Sequence, residues 1–226
     1  MNVTKSTLIQ AAKAVAIIIA VFASQQLITA GIVVYENKAL AIALALIGVV
    51  IYAVVIVVTK PFSRKNIRKW DGAAALKNIG LVIGTYLAMY ATSFIVAVIK
   101  SLSHANISPA NQDAINRMAE NGAAGLVILM VLMAPLFEEV AFRWAIFDKM
   151  FAHMSWKVPF VISSITFAGM HVIAGSLLDI WAWVTYLPMA MIFAGLYAWR
   201  RDIVLNIAVH LLWNATSVVA LIALLK

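Results

Sequence analysis

The sequence predicts an all-α fold, a polytopic membrane helix bundle of about seven transmembrane helices, on three observations. Hydrophobic residues fill 65% of the 226 positions and charged residues only 12%, whereas a soluble domain is about 45–50% apolar. The apolar runs reach the ~20 residues needed to cross a bilayer as helix. The lysines and arginines between the runs also alternate from rich to poor, as the positive-inside rule requires of a chain that threads back and forth.

The spans fall at about 12–35, 39–59, 79–99, 123–147, 158–175, 180–199 and 203–225. The first follows Lys5 and Lys13 and is too long for a signal-peptide core, so it reads as a retained helix. Between the second and third lie Lys60, Arg64, Lys65, Arg68, Lys69 and Lys77, which hold much of the net charge of +8. A nucleic-acid patch would need stacking aromatics or a binding motif beside those cations, and neither is present. A cytoplasmic loop against anionic lipid head groups accounts for them, so membrane lipids are expected partners and nucleic acid is not. The polar 100–122 connection carries Ser108-Pro109, the start of a short surface helix. Lys149 with Lys157, then Arg200 with Arg201, mark the remaining basic loops, whereas Glu36 with Lys38, the mixed 100–122 segment and Asp179 mark the opposite side. The N-terminus is therefore expected in the cytoplasm and the C-terminus outside. Trp181, Trp183 and Tyr186 are expected at one membrane interface and Trp199 at the other. With no repeat and no long polar segment, 1–226 reads as a single transmembrane domain. The absence of cysteine excludes disulfides, thiolate metal sites and a cysteine nucleophile, and is silent on compartment.

Charged residues inside a span are costly and usually functional. The fourth span contains FEEVAFRW, with Glu138, Glu139 and Arg143; the fifth has Phe167 and His171; the seventh has His210 and Asn214. Residues four apart share a helical face, so each pair projects as a unit. Glu139 and Arg143 have the spacing of an intrahelical ion pair, which makes their burial tolerable. Glu138 points about 100° away and has no partner on its own helix. Either histidine alone reads equally well as a hydrogen-bonded packing residue, and Phe167 as packing that orients His171. Counted from the cytoplasmic ends, Glu138, His171 and His210 lie roughly 14, 20 and 11 Å deep, which allows one shared polar cavity. Pro135 frees a backbone carbonyl just before the glutamates and bends the helix.

An unpaired carboxylate beside an imidazole is a general base for water, and an imidazole with a carboxamide can donate to an oxyanion. Glu138 with His171, and His210 with Asn214, supply these halves of a non-covalent amide hydrolysis. No His-Glu-x-x-His, Gly-x-Ser-Gly or Gly-x-Gly-Asp pattern occurs. Glu138, His171, His210 and a water also make a chemically acceptable three-ligand zinc set.

In this order and on separate spans, Glu138-Glu139-x-x-x-Arg143, Phe167-x-x-x-His171 and His210-x-x-x-Asn214 resemble the CPBP (Abi) family of CAAX proteases and bacteriocin-processing enzymes. The resemblance covers about 123–217 and leaves the first three helices without a signature. It implies an intramembrane glutamate endopeptidase in which Glu138 activates water, His171 holds it, and His210 and Asn214 form the oxyanion hole. Glu139, Arg143 and Phe167 would support them, with no cofactor and no metal required. It further implies a peptide or lipidated protein substrate and a location in a bacterial cell membrane. Two other classes are weighed against it. A bacteriocin self-immunity or regulatory protein acting by partner binding would be expected to have degraded motifs, whereas these are intact. A transporter or proton relay would place polar residues through both halves of the membrane, whereas these cluster in one.

Overall fold

The computed structural model describes residues 5–63, 66–68, 70–105, 110–120, 124–173 and 175–224. The chain is 85% helical, with no strand among the described residues. In order the helices are α1 (Lys5–Val33), α2 (Lys38–Thr59), α3 (Gly72–Leu102), α4 (Ala110–Met118), α5 (Ala124–Glu139), α6 (Lys157–Val172), α7 (Ile180–Arg200) and α8 (Ile203–Leu224). Six are long and apolar enough to span a bilayer, α5 counting together with its continuation to Met150. The protein is an integral membrane helical bundle, as its composition requires.

The fifth expected span departs from this pattern. Helix α6 has only 16 residues, roughly 24 Å against a hydrocarbon core of about 30 Å. The apolar run continues to Ile173, but the helix ends at Val172. Among the described residues six helices reach span length and α6 is a shorter apolar helix in the expected fifth position, in keeping with about seven transmembrane helices. His171, one residue from the end of α6, is half-buried.

Close packing of α1 on α2 rests on two glycines. A Cβ on Gly48 would lie 2.6 Å from the Ser24 carbonyl oxygen, and one on Gly31 2.8 Å from that of Ala41. Ser24 Oγ closes the contact by donating to the Gly48 carbonyl at 2.7 Å. Small residues at a crossing let backbones approach where lipid supplies no hydrophobic drive. Helix starts are capped conventionally: Asn37 accepts from Leu40 N–H at 3.2 Å, and Asp179 from Trp181 and Ala182 N–H at 2.9 and 3.1 Å.

Only 11% of the α2 span and 6% of the α3 span is buried, against 44% for the span through α5, so α5 is the central element. After Glu139 its backbone widens into a π-helix, Val140–Met150, in which residues 140–147 are all buried. Such segments often occur at functional positions. Tyr52 of α2 donates to the Leu136 carbonyl at 2.7 Å, just before this transition.

Other sequence expectations meet the structure unevenly. Trp199 is exposed, as an interface residue should be. Tyr186 is buried within the protein, its ring 4.8 Å from that of His171 on α6. The surface helix of the 100–122 connection is present as α4. Its expected start at Ser108-Pro109 lies outside the described residues, as do Arg64, Lys65, Lys69 and the side chain of Lys5.

Candidate active site

Glu139 and Arg143 are both fully buried, with Arg143 Nε 3.3 Å from Glu139 Oε2. The ion pair read from the i,i+4 spacing is thus present, and it belongs to a larger network. Arg143 Nη1 donates to Ser163 Oγ on α6 at 3.1 Å. The guanidinium also lies over Phe167, 4.6 Å from the ring centroid, and near Phe193 of α7 at 5.6 Å. From α8, Asn206 Nδ2 reaches Glu139 Oε2 at 3.2 Å and the Phe193 carbonyl at 2.9 Å. Four helices therefore meet on one buried charge pair, although Arg143 Nε and Nη2 and Asn206 Oδ1 have no hydrogen-bond partner there.

Against this network lies His210, whose Nδ1 is 2.9 Å from Glu139 Oε1. A carboxylate facing a guanidinium accepts and does not donate, so Nδ1 carries the proton. The other ring nitrogen, Nε2, faces Glu138 Oε2 at 3.6 Å. That buried Glu138 oxygen has no hydrogen-bond partner.

His171 Nδ1 lies 2.9 Å from the carbonyl of Phe167, four residues back on α6. A carbonyl only accepts, so Nδ1 donates and Nε2 is left with its lone pair. Phe167 serves three neighbours: its carbonyl fixes the His171 tautomer, its ring packs on His171 at 4.7 Å, and it forms a platform for Arg143.

Pro135 has no N–H to give the Val131 carbonyl four residues earlier. Asn214 Nδ2 fills the gap, donating to the Val131 oxygen at 2.8 Å. One amide proton and the carboxamide oxygen of Asn214 remain for other partners.

Glu138, Phe167, His171, His210 and Asn214 all line one cavity of about 480 Å³. Asn111 and Gln112 of α4, and Gln25 and Gln26 of α1, add carboxamides to its wall. An apolar groove of about 570 Å³ lies on the other side of α5, between α1 and α2, and shares Gln25, Met130 and Ala134 with the cavity. Among the described residues no three histidine or acidic side chains come together as a metal-ligating group.

Sequence reasoning missed Asn206 and Ser163. Both lie one turn before residues it singled out, giving stripes 206/210/214 and 163/167/171 at the same i,i+4 spacing. Extending each pair back by one turn would have found them. It also did not foresee that His210 reaches both glutamates.

Residues 120–216 match the family model described as type II CAAX prenyl endopeptidase Rce1-like, in agreement with the CPBP resemblance carried by the three motifs. Among curated proteins, the UPF0177 protein YvdC of Lactococcus lactis subsp. lactis is 27% identical over 64% of this chain and 53% of its own length. The UPF0177 protein YaiH of the same organism is 40% identical over 39% of this chain and 34% of its own length. A UPF0177 protein in the abiGi 5' region of Lactococcus lactis subsp. cremoris is 32% identical over the same shares. The chain thus spans about half the length of the first relative and a third of the others. No solved structure matches it.

Proposed function

We propose, for a chain whose 120–216 segment matches the type II CAAX prenyl endopeptidase, Rce1-like family, that it is an intramembrane glutamate endopeptidase acting on a peptide or lipidated protein. The supporting observation is the inequality of the two adjacent glutamates. Glu139 is fully engaged by Arg143, Asn206 and His210. Glu138 offers a carboxylate oxygen with no hydrogen-bond partner in the cavity that also holds His171 and Asn214.

In this mechanism a water lies between Glu138 and His171 Nε2. As its oxygen attacks the peptide carbonyl carbon, its proton passes to Glu138, and the carbonyl π pair moves onto oxygen. The oxyanion takes hydrogen bonds from protonated His210 Nε2 and the second amide proton of Asn214. Collapse re-forms the carbonyl and breaks the C–N bond, and the proton on Glu138 goes to the departing amine. Water is consumed and two chain ends appear, with no covalent intermediate. Glu139 keeps Nδ1 of His210 protonated, so Nε2 is the end that faces substrate. The chain's own residues suffice for every step.

The test compares membrane-proteome termini in cells expressing the protein or its Glu138→Gln variant at equal, folded levels. Termini that depend on Glu138 are expected. Identical termini would discard the protease and favour an immunity or regulatory role through partner binding.

A further inference from the structure

The two ends of the bundle differ in charge. One end gathers the α2–α3 connection, the close of the π-segment and the α7–α8 turn. Ile203 N–H donates to the Asn66 carbonyl at 3.1 Å, Arg68 Nε to the Arg200 carbonyl at 3.1 Å, and Arg201 pairs with Asp148 at 2.6 Å. Among the described residues, this end carries Lys13, Lys60, Arg68, Lys77, Lys149, Lys157, Arg200 and Arg201 against Asp71, Asp148 and Asp202. The other end carries Lys38, Lys100 and Arg117 against Glu36, Asp113, Glu120 and Asp179. The positive-inside rule assigns the first end to the cytoplasm.

The cavity at Glu138 runs away from that end. Its α5 wall is Met130, Val131 and Ala134, all before Glu138; its α8 wall is Trp213, Asn214 and Ser217, all after His210. Gln25, Gln26 and Thr29 come from the last third of α1, and Asn111 and Gln112 from α4, which lies at the far end. Towards the basic end the floor is closed by buried Arg143, Trp144, Phe147 and Asn206.

The wall chemistry narrows the ligand further. Carboxamides offer a donor and an acceptor each, the complement of peptide N–H and C=O. Gln25 Oε1 is buried without a hydrogen-bond partner, an acceptor in want of a donor. No lysine or arginine is among the described lining residues, so apart from His210, which the mechanism commits to the oxyanion, the described wall offers no cation for a free terminal carboxylate.

Resting on the protease reading above, we infer that the site takes an extended, uncharged internal segment of an exported polypeptide. The segment enters from the extracytoplasmic side and gives its backbone N–H groups to the side-chain oxygens of Gln25, Asn111 and Gln112, the Gln112 amide being held by Asn116 at 3.0 Å.

Orientation is tested independently of activity, since a cysteine-free chain gives clean single-cysteine labelling. In intact cells a membrane-impermeant maleimide should label Arg117→Cys at once and Lys77→Cys only after permeabilisation. The reverse pattern overturns the inference. Substrate class is tested with the full chain in proteoliposomes and a defined pool of short peptides, supplied either N-acetylated and C-amidated or with free carboxylates. Cleavage is expected inside the peptides and equally in both forms. Gln25→Leu should lower kcat/KM about tenfold, the equivalent of one hydrogen bond, chiefly through KM, while Gln25→Glu keeps the acceptor and much of the activity. Cleavage confined to free carboxyl ends overturns the substrate assignment and leaves the protease standing. No Glu138-dependent cleavage of either form overturns both.

Discussion

Replacing Glu139 with glutamine keeps the side chain's shape and removes its charge, which isolates the electrostatics of the buried network. Arg143 Nε lies 3.3 Å from Glu139 Oε2 with both side chains fully buried. At an effective dielectric of about 20 that separation is an attraction of about 5 kcal/mol. Removing one partner of a buried pair leaves the other uncompensated, at a cost of about 3–5 kcal/mol. For a chain of this size each kcal/mol shifts Tm by about 2–4 °C, so Glu139→Gln should lower it by roughly 6–20 °C. The assay is thermal unfolding in detergent, with Arg143→Met and the double variant completing a cycle. The double variant removes both charges of the pair and should recover stability relative to Glu139→Gln, with a coupling energy of about 1–3 kcal/mol. If Glu139→Gln unfolds within about 2 °C of wild type, or the two losses simply add, then the pair is not the centre of the network and the division of roles between the two glutamates fails.

Three further outcomes follow from the same structure. Asn214→Leu leaves the Val131 carbonyl without its donor, a loss of about 1–3 kcal/mol; adding Pro135→Ala restores an N–H to that carbonyl and should regain part of it in the same unfolding assay. Gly48→Ala drives a methyl to within 2.6 Å of the Ser24 carbonyl and should destabilise by about 1–3 kcal/mol, whereas Gly84→Ala, which meets nothing within 4 Å, should be neutral or slightly stabilising; equal effects would refute the α1–α2 contact. Chelators should leave Glu138-dependent cleavage unchanged, and activity lost on chelation and restored by zinc would return a metal to the mechanism.

How far the site could be read in advance follows from the reach of each signal. Spacing along one helix is written in the sequence, so the Glu139–Arg143 pair and the separate direction of Glu138 were legible. Contacts between helices are not: the sequence suggested pairing Glu138 with His171 and His210 with Asn214, and nothing in it indicates that His210 spans both glutamates. The π-helix after Glu139 has no signature in residue type. The true end of α6 was hidden because hydropathy continues through Ile173 after the helix has stopped. Pro135 was legible as a source of a free carbonyl, but the residue that satisfies it is 83 positions away.

Why a membrane protein should keep an arginine and a second glutamate where apolar residues would cost less is a question about specificity. In lipid, leucine packed on a neighbouring helix is little better placed than leucine facing an acyl chain, so apolar surface cannot select one helix arrangement. Polar groups can, because each one left unsatisfied in hydrocarbon costs several kcal/mol. Glu139 and Arg143 on the fourth span draw Ser163 from α6, Phe193 from α7, and Asn206 and His210 from α8, and a shift in register of any of these helices would break its contact. Adjacent residues on a helix diverge by about 100°, so the register that buries Glu139 in this network turns Glu138 towards the cavity. The charge that holds the helices and the carboxylate proposed for the chemistry are therefore linked by a single step along the chain, and a one-residue insertion between residues 138 and 139 should abolish activity even where the bundle still assembles.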